Sequence, residues 1–295
     1  MTARVQIVAA IAMWLVASVY PAEAYTTRDM LGRDVTLASP PRRIVSLVPS
    51  VTEILYALSA ESVLVGVTDF CDFPPEARSR PKVGGMVSPS LEAIVALRPD
   101  LVIATSEGTR EDTFAQLSRV GVPVYLVVAH HVADATSLMR RLGELTSREN
   151  NAGPLVARLE QRIEAVRKAV QPYGRPRVLY VLWPEPLIVP GREAIVTELI
   201  QLAGGQSLTA EDADAWPRYS LEAAVAKSPE VILLANHGAG TGAVSLEKWQ
   251  RLASVPAVKA GRLISVNGDL LHRYGPRFVD GLEQLARAIH PEAFR

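Results

Sequence analysis

The 295-residue sequence predicts an α/β protein of two lobes, each built on a mostly parallel sheet, joined by one long helix with a cleft between the lobes. Three observations predict it. First, a fourteen-residue segment occurs twice, as Ser90 to Ile103 (SLEAIVALRPDLVI) and Ser220 to Leu233 (SLEAAVAKSPEVIL), with seven identical positions. A weaker pair, Thr52-Glu53-Ile54-Leu55 and Thr197-Glu198-Leu199-Ile200, precedes it in the same order. Second, short β-branched runs alternate with amphipathic stretches in both halves, the pattern of Rossmann-like units. Third, the halves are separated by an uninterrupted helical pattern rather than by a Gly/Ser/Pro-rich coil.

In chain order, residues 1–24 read as an export signal: Arg4, an uncharged apolar run from Val5 to Val19, and Ala22-Glu23-Ala24 as an A-x-A cleavage site. The run is shorter than the ~20 residues of a spanning helix. With no Cys near the cleavage point, no lipid anchor is expected. The N-terminal lobe, 25–147, opens with the strand Arg43 to Val48. Ser50 is expected to cap a helix through about Ser59, with Glu53 completing a capping box. Further strands are expected at Val63 to Val67, Leu101 to Ala104 and Val122 to Val128, and helices at Ser90 to Leu97, Arg110 to Val120 and Ala133 to Leu145. In the connecting segment, 148–172, Leu155, Leu159, Ile163, Val166 and Val170 recur at helical spacing with charged residues on the other faces, and Pro172-Tyr173-Gly174 stops it. The C-terminal lobe, 173–295, restarts with Arg177 to Leu182. Helices follow at Ala194 to Ala203, around Leu246 to Leu252 and at Pro276 to Ile289, with strands at Val231 to Ala235 and Leu263 to Val266. Pro276 suits a first helical turn.

Lys plus Arg and Asp plus Glu both number 31, so no basic field exists to hold nucleic acid. The lone Cys71 has no internal disulfide partner. No G-x-S-x-G, H-E-x-x-H, Walker or C-x-x-C motif is present, and Gly238-Ala239-Gly240-Thr241-Gly242 lacks the third glycine of a dinucleotide loop. No enzyme is expected; an exported hydrolase or a chelatase-like protein on a similar scaffold is the alternative.

Two readings account for the duplicated Ser-x-Glu. Ser90 and Ser220 cap helices whose positive ends favour Glu92 and Glu222. Alternatively, the two carboxylates, one per lobe, dock on paired Arg residues of a two-fold symmetric partner.

The chain resembles the helical-backbone (class III) periplasmic substrate-binding proteins of ABC importers, which bind cobalamin, haem, ferric siderophores and related metal chelates. The likeness runs from Arg42 to Ile289. It is carried by Arg43-Ile44-Val45-Ser46-Leu47 with Thr52-Glu53, and by Val65-Gly66-Val67-Thr68 followed by Phe70-Cys71-Asp72-Phe73-Pro74-Pro75. Ser90-Leu91-Glu92 running into Arg98-Pro99-Asp100-Leu101-Val102, Val83-Gly84-Gly85, the connecting helix and Gly275-Pro276-Arg277 add to it. The cobalamin-binding branch is most similar. The resemblance implies a monomeric receptor without a cofactor of its own. Its ligand would be a corrinoid or another metal chelate, and its partner the permease dimer of an ABC transporter in the cytoplasmic membrane, docked through Glu92 and Glu222.

In two-lobed α/β proteins ligands bind at the carboxyl ends of the strands. A broad apolar ring with polar edges needs aromatic walls and a few polar fingers. Phe70, Phe73, Met86, Trp183 and Trp216 are the expected walls, Asp269, Arg273 and Tyr274 the fingers, and Cys71, placed with the ligand-binding residues, a packed or ligand-facing thiol. Met86 and Thr105 stand where the cobalamin-binding branch has aromatic rings. His237 or His272 is a candidate axial ligand to a chelated metal. A zinc or manganese site would need about four converging ligands, and no spacing among His131, His237, Asp269 and His272 demands one.

Overall fold

The computed structural model describes residues 24–236 and 247–295. The expected export segment lies outside the described residues except for Ala24. So do His237 and the glycine-rich stretch after it.

The chain begins with a hairpin, β1 (Tyr25–Arg28) and β2 (Asp34–Leu37), whose turn is tied to the rest by Met30 N–H donating to the Leu126 carbonyl. The first sheet follows. Strands β3 (Ile44–Ser46), β4 (Leu64–Val67), β5 (Leu101–Thr105) and β6 (Val124–Val127) are all parallel and lie in the order β4-β3-β5-β6. Helix α1 (Pro49–Ala57) follows β3, and α2 (Leu91–Ala96) leads into β5. Helices α3 (Glu111–Arg119) and α4 (Val132–Leu145) follow β5 and β6. Every residue of β3 and β5 is buried, because helices cover both faces of the sheet and leave no solvent side for polar alternation.

Helix α5 (Glu149–Val170) has 22 residues and so spans about 33 Å. Its apolar stripe, from Ala152 to Val170, is buried apart from the partly buried Ile163. Glu160 accepts from Arg140 of α4 at 3.1 Å.

The second half repeats the first. Strands β7 (Arg177–Val181), β10 (Gln206–Ser207), β12 (Val231–Asn236) and β13 (Leu263–Asn267) are parallel in the order β10-β7-β12-β13. In both sheets this is second, first, third, fourth in chain order. An antiparallel ribbon of β8 (Trp183–Pro184), β9 (Leu187–Ile188) and β11 (Arg218–Tyr219) is added beside β7. Helices α6 (Ile195–Leu202), α7 (Leu221–Ala226), α8 (Pro256–Lys259), α9 (Asp269–His272) and α10 (Phe278–Ile289) complete the half, and residues 247–250 are also helical. α10 packs back on α5, where Arg162 donates to Asp280 at 2.6 Å and Glu283 at 2.9 Å.

One apolar core runs through α1, α4, α5, α6 and α10. The lobes are therefore fused along α5 rather than strung on it. Among the described residues no helix is long and apolar enough to cross a membrane.

Two local expectations are corrected. Helix α1 starts at Pro49 with no side-chain cap: Ser50 lies inside its first turn, and Glu53 is drawn into ion pairs with the far lobe. Helix α10 starts at Phe278, with Arg277 at its N-cap, so Pro276 precedes the helix and shapes the loop that brings Arg277 to Glu53.

Candidate functional site

The carboxyl ends of both sheets face a common cavity of about 390 Å³. The N-terminal lobe lines it with Val48, Pro49, Ser50, Phe70, Met86, Thr105, Glu107 and Gly108, and the C-terminal lobe with Leu182, Trp216, His272, Arg273 and Tyr274. Most of these groups come from segments just past a strand, Phe70 after β4, Thr105 and Glu107 at the end of β5, Leu182 after β7 and His272 to Tyr274 after β13, while Met86 stands in the loop before α2 and Trp216 just before β11. Phe70 is 59% exposed and Trp216 37%. Large apolar rings left open in a cleft mark a ligand surface rather than a core.

Polar groups are fixed by a network across the lobes. Arg273 donates to Asp72 at 2.6 Å and to Glu53 at 3.4 Å, and lies 3.6 Å from Asp269. Arg277 forms a bidentate pair with Glu53, at 2.9 and 2.6 Å, and its guanidinium stacks 3.7 Å from the centre of the Phe73 ring. Glu53 is 2% exposed; two guanidiniums compensate the desolvation of its charge. Burial alone would raise the Asp72 carboxyl, but the hydrogen bond and charge of Arg273 leave it below the usual carboxylate range. On the opposite wall His130 Nδ1 lies 3.5 Å from Glu107.

The Tyr180 hydroxyl and His272 Nε2 are 2.7 Å apart, and the His272 ring meets Trp216 edge-on at 5.6 Å. Burial pushes Tyr180 well above the usual phenol range, so it stays protonated. An axial bond from Nε2 would first have to break the Tyr180 contact. The Tyr274 hydroxyl is buried at the cavity wall and meets hydrogen-bond geometry with none of the described residues, although Thr105 is near enough to act on its titration. Burial raises its pKa.

Phe70, Met86, Trp216 and Arg273 therefore meet at the cavity, together with Tyr274. Four other expected residues do not line it. Cys71 is a correction: it is 1% exposed in the core, with Sγ 3.2 Å from the hydroxyls of Thr52 and Thr68, and is no ligand-facing thiol. Phe73 is engaged by Arg277. Trp183 lies on the antiparallel ribbon, its indole N–H donating to the Glu185 carbonyl at 3.1 Å. Asp269 caps a neighbouring hollow and touches the cavity only through Arg273. Glu107, just after β5, lines the cavity as its place after a strand predicts, whereas Glu53, whose spacing from Ser50 suggests only a local cap, is an unforeseen member of the site's ion-pair network. Among the described residues no group of three or more His, Cys, Asp and Glu is arranged to hold a metal ion.

Glu92 and Glu222 lie in the first turns of α2 and α7, both exposed. In each helix the preceding Ser Oγ accepts from the backbone three residues on, at 3.2 Å for Ser90 and 3.1 Å for Ser220. Both helices run back against their sheets, so these turns lie at the carboxyl ends of the strands, the edge that bears the cavity. Ser90 N–H reaches Val83, which is bonded to Val67 at the end of β4; Tyr219 pairs with Leu187 in the ribbon beside β7. Its own backbone N–H, then the Ser220 hydroxyl and Lys248, hold the Glu222 carboxyl below the usual range.

Two equivalent α/β lobes around an open, aromatic-walled cleft define a solute-binding protein. The chain belongs to the family described as periplasmic binding protein, whose profile matches residues 44–270, and is a substrate-binding protein of the ABC-transporter type. It is 30% identical over 277 residues to an uncharacterised ABC transporter substrate-binding lipoprotein, YvrC, of Bacillus subtilis, covering 92% of this chain and 87% of that one. It is similar to the crystal structure of the periplasmic vitamin B12 binding protein BtuF of Vibrio cholerae, with a TM-score of 0.75, 27% identity and coverage of 87% and 99%. It is equally similar to the periplasmic heme-binding protein RhuT from Roseiflexus, with a TM-score of 0.76, 28% identity and coverage of 85% and 99%.

Proposed function

We propose that this protein, exported by residues 1–24, captures a corrinoid between its lobes and delivers it to an ABC permease dimer that docks on Glu92 and Glu222. The observation that carries the ligand class is the charge state of the cleft. Arg273, the cationic group at the cavity, is already shared by Asp72, Glu53 and Asp269, and Glu107 adds a further carboxylate to the lining. A ring edged with propionates would meet guanidiniums already neutralised and carboxylates that repel it. An amide-edged corrinoid needs donors and acceptors rather than a net charge, and Phe70 and Trp216 supply apolar contact for its faces. A haem reading is favoured by one feature, the His272 imidazole in the cavity, and a ferric siderophore belongs to the same family range. Neither reading calls for a reaction in the cleft.

Calorimetric titration of residues 25–295 with cyanocobalamin, dicyanocobinamide, haemin and ferrichrome tests this. The expected result is corrinoid binding at least tenfold tighter than haemin or ferrichrome, a difference of about 1.4 kcal/mol. Tighter binding of haemin overturns the corrinoid assignment.

A further inference from the structure

The second repeated marker, Thr-Glu, has no place in ligand contact or docking, yet its two glutamates do equivalent things in space. Glu53 stands in α1, the first helix after the first strand of the N-terminal half; Glu198 stands in α6, its counterpart in the C-terminal half. Glu53 crosses to the C-terminal lobe and binds Arg277, the N-cap of α10, the last long helix of that lobe. Glu198 crosses to the N-terminal lobe and accepts from the Val132 N–H at 2.8 Å, in the first turn of α4, the last helix before α5. The His131 ring lies 3.5 Å from the same carboxylate. Each half therefore grips the start of the other half's final helix.

The fit is built on both sides. A Cβ at Gly275 would come within 2.9 Å of the Glu53 carboxylate, so only glycine lets the loop before α10 close on it. On the other side, an acid at the positive end of α4 satisfies a backbone donor that has no partner inside the helix. Each contact is also one step from a charged group of the cavity: Glu53 holds Arg273 directly, and next to His131, which faces Glu198, His130 faces Glu107.

We propose that Glu53 and Glu198 are a duplicated pair of cross-lobe latches that set the angle between the lobes, and hence the positions of Arg273 and Glu107 in the cleft. They are positioning residues rather than ligand contacts. The assignment does not depend on which chelate is bound. Because the two latches restrain one and the same rotation, releasing one loosens the other, although no bond joins them.

Amide hydrogen exchange in the ligand-free protein tests this directly. In Glu53→Gln the Val132 amide, which Glu53 does not touch, should exchange at least about fivefold faster, the low end of ordinary site-to-site coupling. The Val102 amide, bonded inside the first lobe to Pro123, should be unchanged. The reciprocal variant, Glu198→Gln, should speed exchange of the Phe278 amide, which is bonded to Gly275, and serves where Glu53→Gln fails to fold. Unchanged exchange at the distant latch overturns the proposal. So does equal acceleration at Val102, which would report global destabilisation alone.

Discussion

Replacing Arg277 by Met isolates the energetics of the buried pair. The substitution keeps most of the apolar stem but leaves Glu53, 2% exposed, with only Arg273 at 3.4 Å. Breaking a buried ion pair from one side typically costs about 3–5 kcal/mol. The remaining Arg273 contact and the 22% exposure of Arg277 itself put this case at the lower end, about 3 kcal/mol. For a chain of this size that corresponds to a fall in Tm of about 6–12 °C. Urea unfolding followed by circular dichroism, with an unchanged m-value, measures it. The double variant Glu53→Leu/Arg277→Met removes the orphaned charge, while Arg273 keeps Asp72 at 2.6 Å. It should therefore recover at least about half of the loss. A loss under about 1 kcal/mol in the single variant, or a double variant as unstable as the sum of its singles, refutes the view that the carboxylate depends on Arg277.

Charge reversal at both Glu92 and Glu222 should abolish stimulation of the permease's ATP hydrolysis in proteoliposomes while leaving calorimetric ligand affinity within about twofold; loss of ligand binding instead would refute the docking role. Trp216→Ala, which removes the open ring on the C-terminal wall, should weaken cyanocobalamin binding about tenfold, for a loss of the order of 1–2 kcal/mol of aromatic contact, with unchanged Tm. The Asp72 carboxyl is depressed in the folded state. Its anchoring of Arg273 is therefore complete above the unfolded pKa of about 3.9 and is lost only as pH falls through the lower folded value. The Asp72–Arg273 anchor should contribute equally from about pH 8 to 5: Asp72→Asn should change corrinoid affinity by the same factor at both ends of that range, and paired titrations check it. Gly275→Ala should destabilise by about 1–3 kcal/mol through overpacking against Glu53, read as a lower midpoint in urea.

The duplicated segment carried most of the fold. It located α2 with β5 and α7 with β12, their serine caps, and the equivalence of the halves, now seen as one strand order used twice. The connecting helix was legible to within one residue at its start and two at its end, because its apolar spacing is local information. What failed was local reading of long-range chemistry. Ser50 and Glu53 have the spacing of a capping box, but the partner that claims Glu53 is 224 positions away. In the loop after β4 the sequence could not say which of Phe70, Cys71 and Phe73 faces the cleft. Only Phe70 does, since Cys71 turns inward to Thr52 and Thr68, and Phe73 is taken by Arg277. Trp183 was assigned by its position after a strand, and the ribbon that carries it away from the cavity has no strong sequence signal, being built from two-residue strands.

The shared core limits how such a receptor releases its ligand. Helices from both lobes pack with α5 into one apolar cluster, and swinging the lobes widely apart would expose that surface at about 25 cal/mol per Å². A hinge opening that uncovered even 200 Å² would cost of the order of 5 kcal/mol, more than the 1–3 kcal/mol that coupled sites usually exchange. Small rotations that keep the core closed are the accessible ones. They suffice, because the groups that face the ligand are held at the carboxyl edges of the sheets, where a rotation about α5 is converted into the largest displacement. The proposed docking glutamates occupy those same edges. A permease that binds both carboxylates at a spacing slightly wider than the resting one would strain the cleft before it strained the core.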